Sequence, residues 1–359
     1  MKLILLLIIT FPFFGNTQIT LTTTDFSDGG DNSWISNVTD NGIDFSTTGQ
    51  NMTWDFSGMV STGQTQKEYF NLSSSSQLIQ ILFGVFASSQ YKATNFVNSD
   101  ALPLDQIPSG ILPVTISNVR QFSKNSNDSI TSIGLTISVD GNEIPFKSDT
   151  IETRYKFPLL YGNSYSSRGF TEIDLNPATN IIWRQYRQRF STVDGWGSIT
   201  TPYGNFDVLR IDHFIQETDS ILIDALGNPT WIPLAIPDSH QYEWITNGEK
   251  EPILRITTTI LNGNETVTNI EYKDNEIVGL DELENQFTVY PNPTNSTLTI
   301  NGIQQKITYS IFSIDGKEVF SGELSTMKNQ IDVHSLTEGS YQIILSQKGR
   351  SINLPFLKK

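Results

Sequence analysis

The sequence predicts an all-β protein whose larger part is a β-sandwich, built as one large sandwich or as two smaller ones. After residue 18, short runs of Val, Ile, Thr and aromatic residues alternate with Gly, Asn, Asp and Pro, which is typical of many short antiparallel strands. Long stretches with the 3.6-residue period of helices are absent from the sequence. Asn-Gly and Asp-Gly pairs separate several runs, and such pairs supply the positive φ angles of tight hairpin turns.

The composition is that of a soluble globular protein. Of the 359 residues, 37% are hydrophobic and 11% are aromatic, which is enough for one or two domains with real cores. The formal net charge of −15 argues against nucleic acid, an anionic membrane or an acidic substrate as the partner. The chain has no Cys, so disulfides, thiolate metal sites and cysteine nucleophiles are excluded.

The first residues, MKLILLLIITFPFFGNTQIT, have the layout of a secretory signal peptide: a cation, an apolar run and a small polar cleavage region. We predict a signal peptide over residues 1–17, cleaved between Thr17 and Gln18. An uncleaved membrane anchor is disfavoured because about 12 apolar residues fall short of the ~20 that span a bilayer. The other apolar run, LIQILFGVFA at 78–87, is shorter and predicts a core strand or a short helix. No transmembrane segment is expected.

The passenger, residues 18–277, is predicted to contain several hairpins. The turns that predict them are Asp140-Gly141 after ITSIGLTISV, Gly227-Asn228 within SILIDALGNPTWIPL, Pro202 to Gly204 within GSITTPYGNFDVLRIDHF, and Asn247-Gly248 with Asn262-Gly263 in a three-strand meander. The Pro-rich stretch at 101–114 is either a domain boundary or a long crossover, and both alternatives stay open. An acidic linker is expected at 278–286.

The passenger carries little material for catalysis. Strand alternation directs His213 inward and Asp212 to the opposite face, so these neighbours are not a dyad. GxSxG, HExxH and P-loop motifs are absent from the sequence. We therefore assign no catalytic, cofactor-binding or metal-binding residues.

Three weaker signals in the passenger concern sugar chemistry and metal binding. Paired carboxylates for glycoside hydrolysis leave no fixed spacing in a sequence, so they stay open. Asp25, Asp28 and Asp31 lack the spacing of a calcium loop and predict a solvated turn. Tryptophans could stack on sugars, but core packing is favoured; they stand at positions 34, 54, 183, 196, 231 and 244. The passenger is thus predicted to be a non-catalytic binding, adhesion or structural module, and the alternative is a polysaccharide-acting hydrolase or a carbohydrate-binding protein.

The C-terminal residues 287–359 form a second predicted unit with seven short strands. The strands are FTVY, TLTI, ITYSIFSI, KEVFSGEL, NQIDV, SYQIILS and SINLPFLK. Asp315-Gly316 and Lys348-Gly349 provide hairpin turns, and Glu338-Gly339 ends a turn before the sixth strand. Seven short strands at this spacing predict an immunoglobulin-like sandwich. Pro291 and Pro293 withhold N–H donors, so YPNP blunts an edge where the unit begins.

This C-terminal unit closely resembles the type A C-terminal sorting domain of proteins exported by the type IX secretion system of Bacteroidetes. Four segments carry the resemblance in the right order: YPNP, IFSIDGKEV, IDVHSLTEGSYQIIL and LPFLKK. The sorting-signal residues among them are Tyr290, Pro291, Asn292, Pro293, Asp315, Gly316, Gly339, Tyr341, Lys358 and Lys359. In the passenger, residues 155–170 and 193–211 resemble secreted passengers of the same phylum, a likeness that implies no activity.

The resemblance implies an export route. The chain would pass through the periplasm, the folded C-terminal unit would bind the type IX translocon, and a sortase-like peptidase would remove that unit. The passenger would then be attached to the outer cell surface or released. Surface glycans are a candidate ligand for it, and neither nucleic acid nor a cofactor is expected.

Overall fold

The computed structural model describes residues 18–359 except for 41, 100–101, 105–113, 177–179, 226–227, 277–286, 304–305, 315 and 348–349. The chain divides into two compact units, Met1–Asn275 and Glu276–Lys359, which we call the passenger unit and the C-terminal unit. Several predictions lie outside the described residues: the signal peptide with Thr17, most of 101–114, the linker 278–286, the turn residues Gly227 and Asp315, and the turn Lys348-Gly349. The predicted domain boundaries therefore stay predictions.

The all-β prediction is confirmed, because strands dominate both units. The strands of the passenger unit are β1 (Asn32–Val38), β2 (Gly49–Asp55), β3 (Ser61–Asn71), β4 (Asn95–Asn98), β5 (Ile116–Asn125), β6 (Ser129–Val139), β7 (Asn142–Lys156), β8 (Ser164–Asp174), β9 (Ile181–Thr201), β10 (Gly204–Ala225), β11 (Asn228–Leu234), β12 (Ser239–Ile245), β13 (Leu254–Leu261) and β14 (Asn264–Asp274). The run at 78–87 forms the short helix α1 (Gln77–Phe83), and 3-10 turns lie at Thr23–Asp25, Leu72–Ser74 and Ser89–Tyr91.

The strands of the passenger unit form one hydrogen-bonded sheet. Its order is β11-β10-β12-β13-β14-β1-β3-β4-β5-β6-β7-β8-β9-β2, and β9 also pairs with β10. This last pairing joins β9, near the end of the strand order, to β10, near its beginning. The predicted hairpins β6–β7, β9–β10 and β10–β11 and the meander β12–β13–β14 all occur. The β1–β14 pairing joins the first and last strands of the unit.

The hairpin of β9 and β10 is the longest element of the unit and explains one glycine. The two strands have 21 and 22 residues. Strand β2 runs parallel to the end of β9, with Met52 opposite Gly197. A Cβ atom at Gly197 would lie only 1.9 Å from the carbonyl oxygen of Met52, so only glycine permits this close backbone approach.

The C-terminal unit contains all seven predicted strands. They are β15 (Thr288–Tyr290), β16 (Thr297–Asn301), β17 (Ile307–Ser313), β18 (Glu318–Leu324), β19 (Gln330–Asp332), β20 (Gly339–Gln347) and β21 (Arg350–Lys358). They form a three-stranded sheet, β15-β16-β19, and a four-stranded sheet, β18-β17-β20-β21. Inward residues from both sheets, such as Leu298, Ile311 and Ile343, share one buried core. This unit therefore has its own hydrophobic core.

Candidate functional site

The first candidate site is a line of three buried polar side chains in the passenger unit. The Ser191 Oγ on β9 lies 2.7 Å from Nδ1 of His213 on β10, and Nε2 of His213 lies 3.4 Å from Oε2 of Glu243 on β12. Ser191 is the cross-strand partner of His213, whereas Glu243 lies two residues beyond Gln241, the partner of His213 on the other side. The inward direction predicted for His213 is confirmed, since it is 1% exposed.

Glu243 is the centre of a larger ionic network. Its carboxylate accepts hydrogen bonds from the Tyr155 hydroxyl at 2.5 Å and from Nε of Arg255 at 2.8 Å. Arg255 also pairs with Glu271 and lies 3.9 Å from Glu251. Burial raises the pKa of Glu243, but the charge of Arg255 and the contact with His213 lower it by more, so its pKa falls well below the usual value. Glu243 is therefore a carboxylate whose charge is neutralised by Arg255.

His213 is neutral in this environment. Burial lowers its pKa, and the nearby guanidinium groups of Arg189 and Arg154 act in the same direction, although Glu243 opposes them. A hydrogen on Nε2, facing Glu243, lets Nδ1 accept from the Ser191 hydroxyl. The order serine, histidine, carboxylate matches that of hydrolytic triads. However, Ser191, His213 and Glu243 are 1%, 1% and 0% exposed, so a substrate cannot reach the hydroxyl.

A second ionic group lies on the same inward side of β7, β9 and β10. Arg189 donates to Glu152 at 2.5 Å, and Arg187 bridges Glu217 at 2.9 Å and Glu152 at 3.7 Å. Burial raises the pKa of Glu152, but the charges of Arg189 and Arg187 lower it by more, so that the pKa falls to about 2. Arg187 and Arg189 of β9 thus pair with carboxylates on β7 and β10. A cavity of about 20 Å³ beside Arg187 is large enough for one water molecule.

Asp219 on β10 is a buried acid next to this second group. The indole nitrogen of Trp183 donates to Oδ2 of Asp219 at 2.7 Å, whereas Oδ1 has no hydrogen-bond partner among the residues that the structure describes. Burial, followed by the negative charge of Glu217, raises the pKa of Asp219 to about 7. The folded protein therefore holds a proton on Asp219 at pH values where the unfolded chain has released it.

We expect Asp219→Asn to remove part of the pH dependence of passenger stability. Between about pH 4 and pH 7 the folded state binds the extra proton, so wild-type stability falls as the pH rises through this window. At pH 8 the variant should be more stable by as much as about 4 kcal/mol, and at pH 4 the two should be similar. Urea unfolding monitored by tryptophan fluorescence at several pH values checks this.

Asp207→Asn, on an exposed part of the same strand, is the matched control. Its stability should follow the wild-type pH profile. If the stability of Asp219→Asn had the same pH profile as that of the wild type, the raised pKa of Asp219 would be contradicted.

Outward-facing aromatic rings form a row across the passenger sheet. The Phe190 ring on β9 lies 6.1 Å from Phe214 on β10, which lies 4.9 Å from His240 on β12. Beside them, Tyr186 stacks on Phe170 at 4.3 Å. Tyr186 and Phe190 are 48% and 38% exposed. We call Phe170, Tyr186, Phe190, Phe214 and His240 the aromatic row.

The tryptophans contribute little to this surface. Trp54, Trp183 and Trp244 are buried, as core packing predicted. Trp231 is 38% exposed and stacks under Arg184, with 4.5 Å from the guanidinium carbon to the ring centre. The exposed rings come instead from Tyr186 and Phe190, which the alternation of β9 could have indicated.

The carboxylates of the three aspartates near the start of the passenger accept hydrogen bonds from backbone N–H groups. Asp25 is buried and accepts from the N–H groups of Thr22 and Gly248 at 2.8 and 2.9 Å. Asp31 accepts from the N–H of Asp28 at 2.9 Å, which closes a turn. Across the ranges that the structure describes, no group of three or more His, Cys, Asp or Glu residues is arranged to hold a metal ion.

In the C-terminal unit, Asn292 covers the free edge of the last strand. Its Nδ2 donates to the carbonyl oxygen of Pro355 at 3.1 Å, and its Oδ1 accepts from the N–H of Leu357 at 2.9 Å. Thr294 continues the pairing, since its N–H donates to Leu357 O at 2.8 Å and its carbonyl accepts from Lys359 at 2.9 Å. The Asn292 side chain thus acts as an extra strand residue, which blunts the edge more directly than the missing N–H groups of the two prolines.

Of the other predicted sorting residues, Gly339, Tyr341 and Lys358 lie on the β20–β21 strand pair, whereas Tyr290 lies on β15 in the other sheet. Tyr341 on β20 is buried and donates to the carbonyl oxygen of Thr337 at 3.0 Å. Gly339 pairs with Lys358 at the end of the β20–β21 ladder. Tyr290 donates to Asn301 at 3.2 Å, and Gly316 adopts a φ of 79° at the β17–β18 turn. The structure therefore brings Asn292, Gly339, Tyr341 and the two terminal lysines together.

A pocket of about 670 Å³ lies beside Asn292, against β17, β20 and β21. Its lining is mainly apolar and neutral: Asn292, Phe312, Ser313, Ile314, Gly316, Ser340, Tyr341, Gln342, Ile344, Pro355, Phe356 and Leu357. Ile314 and Leu357 are 88% and 40% exposed. The edge covered by Asn292 thus borders an open apolar depression.

Comparison with known proteins identifies the C-terminal unit. Residues 288–358 match the family described as "Secretion system C-terminal sorting domain". The search of curated proteins and the search of solved structures return no match. Among the described residues, the helices are all too short or too polar to cross a membrane. Residues 288–358 of this chain are therefore a C-terminal sorting domain of the type IX secretion system.

Proposed function

We propose that the chain delivers a non-catalytic binding, adhesion or structural module to the outer cell surface or the medium. The sorting domain accounts for export by the type IX machinery. The role of the passenger rests on one observation: its most catalyst-like arrangement, Ser191–His213–Glu243, is at most 1% exposed. Its charged neighbours Arg255 and Arg189 are paired with the buried carboxylates Glu243 and Glu152, so these charges are already compensated within the protein.

A hydrolase screen on polysaccharides, peptides and esters tests the non-catalytic role. The matched variant is Ser191→Ala, which removes the hydroxyl of the Ser191–His213–Glu243 arrangement without adding volume. We expect no turnover by either protein. Turnover by the wild type that Ser191→Ala abolishes would contradict the proposal, because it would show that the buried line opens to a substrate.

The proposed route includes cleavage at both ends of the chain. A signal peptide cut between Thr17 and Gln18 would admit the chain to the periplasm, and a peptidase of the export system would later remove the C-terminal unit. We therefore expect mass spectrometry of surface and medium fractions to find Gln18 as the first residue and no peptides beyond about residue 285. Mature surface protein that still carries Lys359 would contradict removal of the C-terminal unit.

Carbohydrate binding is the second candidate, and the aromatic row favours it. Exposed rings on the outward face of the sheet offer apolar surfaces on which the C–H faces of sugar rings can stack. Gln188 lies between Tyr186 and Phe190 on the same outward side of β9, where it can hydrogen-bond sugar hydroxyls. The polysaccharide hydrolase alternative has no such support, since the cavity beside Glu152 and Arg187 holds only about 20 Å³.

A glycan array on the chain from Gln18 to Lys359 tests this second candidate. Any glycan that binds should lose affinity in Tyr186→Ala and Phe190→Ala. Leu261→Ala, an exposed apolar residue on β13, serves as the control and should bind normally. An array without hits would contradict sugar binding by the aromatic row. Glycan binding that neither aromatic substitution weakens would contradict it as well.

A further inference from the structure

Helix α1 and the turn that follows it carry apolar side chains on two opposite sides. Ile79 and Phe83 point inward and pack against Phe96, Phe122 and Ile133. Leu78, Ile81, Val85 and Phe86 point outward and are 52%, 55%, 77% and 82% exposed. We call these four residues the apolar tip. Such a concentration of exposed large apolar residues on a secreted protein marks a contact surface.

The apolar tip is held in place by the fold. Phe83 stacks on Phe122 at 4.7 Å, which fixes the helix on the sheet. After the helix, the N–H of Ala87 donates to Gly84 O at 3.0 Å and the N–H of Ala93 donates to Phe83 O at 2.8 Å. A side chain at position 84 would clash with Gln80 O at 2.2 Å, so glycine is needed for this turn. Val85 and Phe86 thus protrude from a rigid turn.

The chain segment that carries the apolar tip differs in charge from the whole chain. Residues 69–99 contain no Asp or Glu, in a chain with 38 of them, and contain the exposed Lys92. Two further lysines reach the turn that follows the tip. Lys124 donates to Ser89 O at 2.9 Å, and the Lys147 ammonium lies 5.0 Å from the centre of the Tyr91 ring. The apolar tip therefore has cations at its border.

We propose that the apolar tip inserts into a lipid surface with anionic headgroups. Convex apolar side chains flanked by lysines suit a bilayer interface, where the side chains enter the acyl region and the ammonium groups stay at the phosphates. The net charge of −15 does not prevent this, because charges farther than about 8 Å are largely screened at physiological salt. This inference deepens the proposed binding role by naming a partner for the passenger.

A second copy of the chain fits the apolar tip less well. Stable protein interfaces bury about 800 Å² on each partner, whereas four protruding side chains cover far less. The charge pattern and the protruding shape both favour the lipid surface.

Vesicle sedimentation with the chain from Gln18 to Lys359 tests the proposal, since residues 1–17 would themselves bind lipid. We expect binding to vesicles of phosphatidylcholine with one-quarter phosphatidylglycerol, and weaker binding to phosphatidylcholine alone or in high salt. The double variant Val85→Ser with Phe86→Ser should reduce binding at least about tenfold. Lys92→Gln should reduce it about fivefold at physiological salt.

Val60→Ser is the matched control, because Val60 is 73% exposed but lies just before the opposite end of β3. It should bind like the wild type, and all variants should keep the wild-type tryptophan fluorescence. The proposal is overturned by absence of binding to the anionic vesicles or by equal binding of the double variant. A dimer that the double variant dissociates, without vesicle binding, would also overturn it and assign the tip to a second copy. Hydrolase activity would contradict the proposed non-catalytic role and leave the vesicle result standing.

Discussion

Glu243→Gln should destabilise the passenger unit by about 3–5 kcal/mol, since it breaks a buried ion pair by removing one partner. Glu243 is fully buried and accepts from Tyr155 and Arg255. The substitution keeps the size of the side chain but removes its charge, which leaves Arg255 with less compensation in a desolvated site. Urea unfolding provides the measurement. Tryptophan fluorescence reports on the passenger unit alone, because none of the six tryptophans lies beyond residue 244.

The matched control is Glu172→Gln. Glu172 pairs with Arg184 at 2.8 Å, but the two side chains are 36% and 40% exposed. An exposed pair of this kind contributes about 0.2–1 kcal/mol, so the control should unfold close to the wild type. Equal stabilities for the two glutamine variants would show that burial of the Glu243 network adds nothing to the stability of the sheet.

Removal of residues 287–359 should abolish export while leaving the passenger folded. The C-terminal unit contains the sorting domain and has its own core, separate from those of the passenger. Cells that produce the shortened chain should therefore retain it, and surface and medium fractions should lack passenger peptides. Wild-type tryptophan fluorescence of the retained protein would show that the defect lies in transport. Passenger peptides outside these cells at the wild-type level would refute this role of the C-terminal unit.

Asn292→Ala refines this experiment. The substitution removes the two side-chain hydrogen bonds that cover Pro355 O and the N–H of Leu357, but Asn292 itself is exposed, so the core remains intact. We expect the C-terminal unit to lose about 1–2 kcal/mol, and export to fall because the edge of β21 opens. The control is Asn353→Ala, since Asn353 lies on β21 but away from the YPNP segment. It should reduce stability and export less than Asn292→Ala does.

The fold class and the local hairpins were predictable because their signals are local. Turn pairs such as Asp140-Gly141 and Asn262-Gly263 mark the connections, and alternation marks the faces of the strands. The seven strands of the C-terminal unit follow from the same signals. A proline is also compatible with position 355 in the edge strand β21. Its missing N–H lies on the free side of that strand, opposite Asn292, so no bond of the β20–β21 ladder is lost.

The buried polar network was not predictable, and strand register is the reason. The turn at Thr201 and Gly204 alone places Thr192 opposite His213. The structure has a bulge between Arg210 and Ile211, which shifts the pairing by one residue and brings Ser191 opposite His213. No local pattern predicts this bulge, nor the pairing of β10 with β12 that brings in Glu243.

Strand β14 has a consequence for the timing of folding. It lies between β13 and β1, and its Asp274 is the partner of Trp34. The edge of β1 therefore stays unpaired until nearly the whole passenger has left the ribosome, and its closure requires a contact across more than two hundred residues. Contacts of such long sequence separation form slowly, because the loop entropy is lost before the contacts compensate for it. Nascent passenger chains should thus remain incompletely folded for longer than chains whose neighbouring strands are also neighbours in sequence.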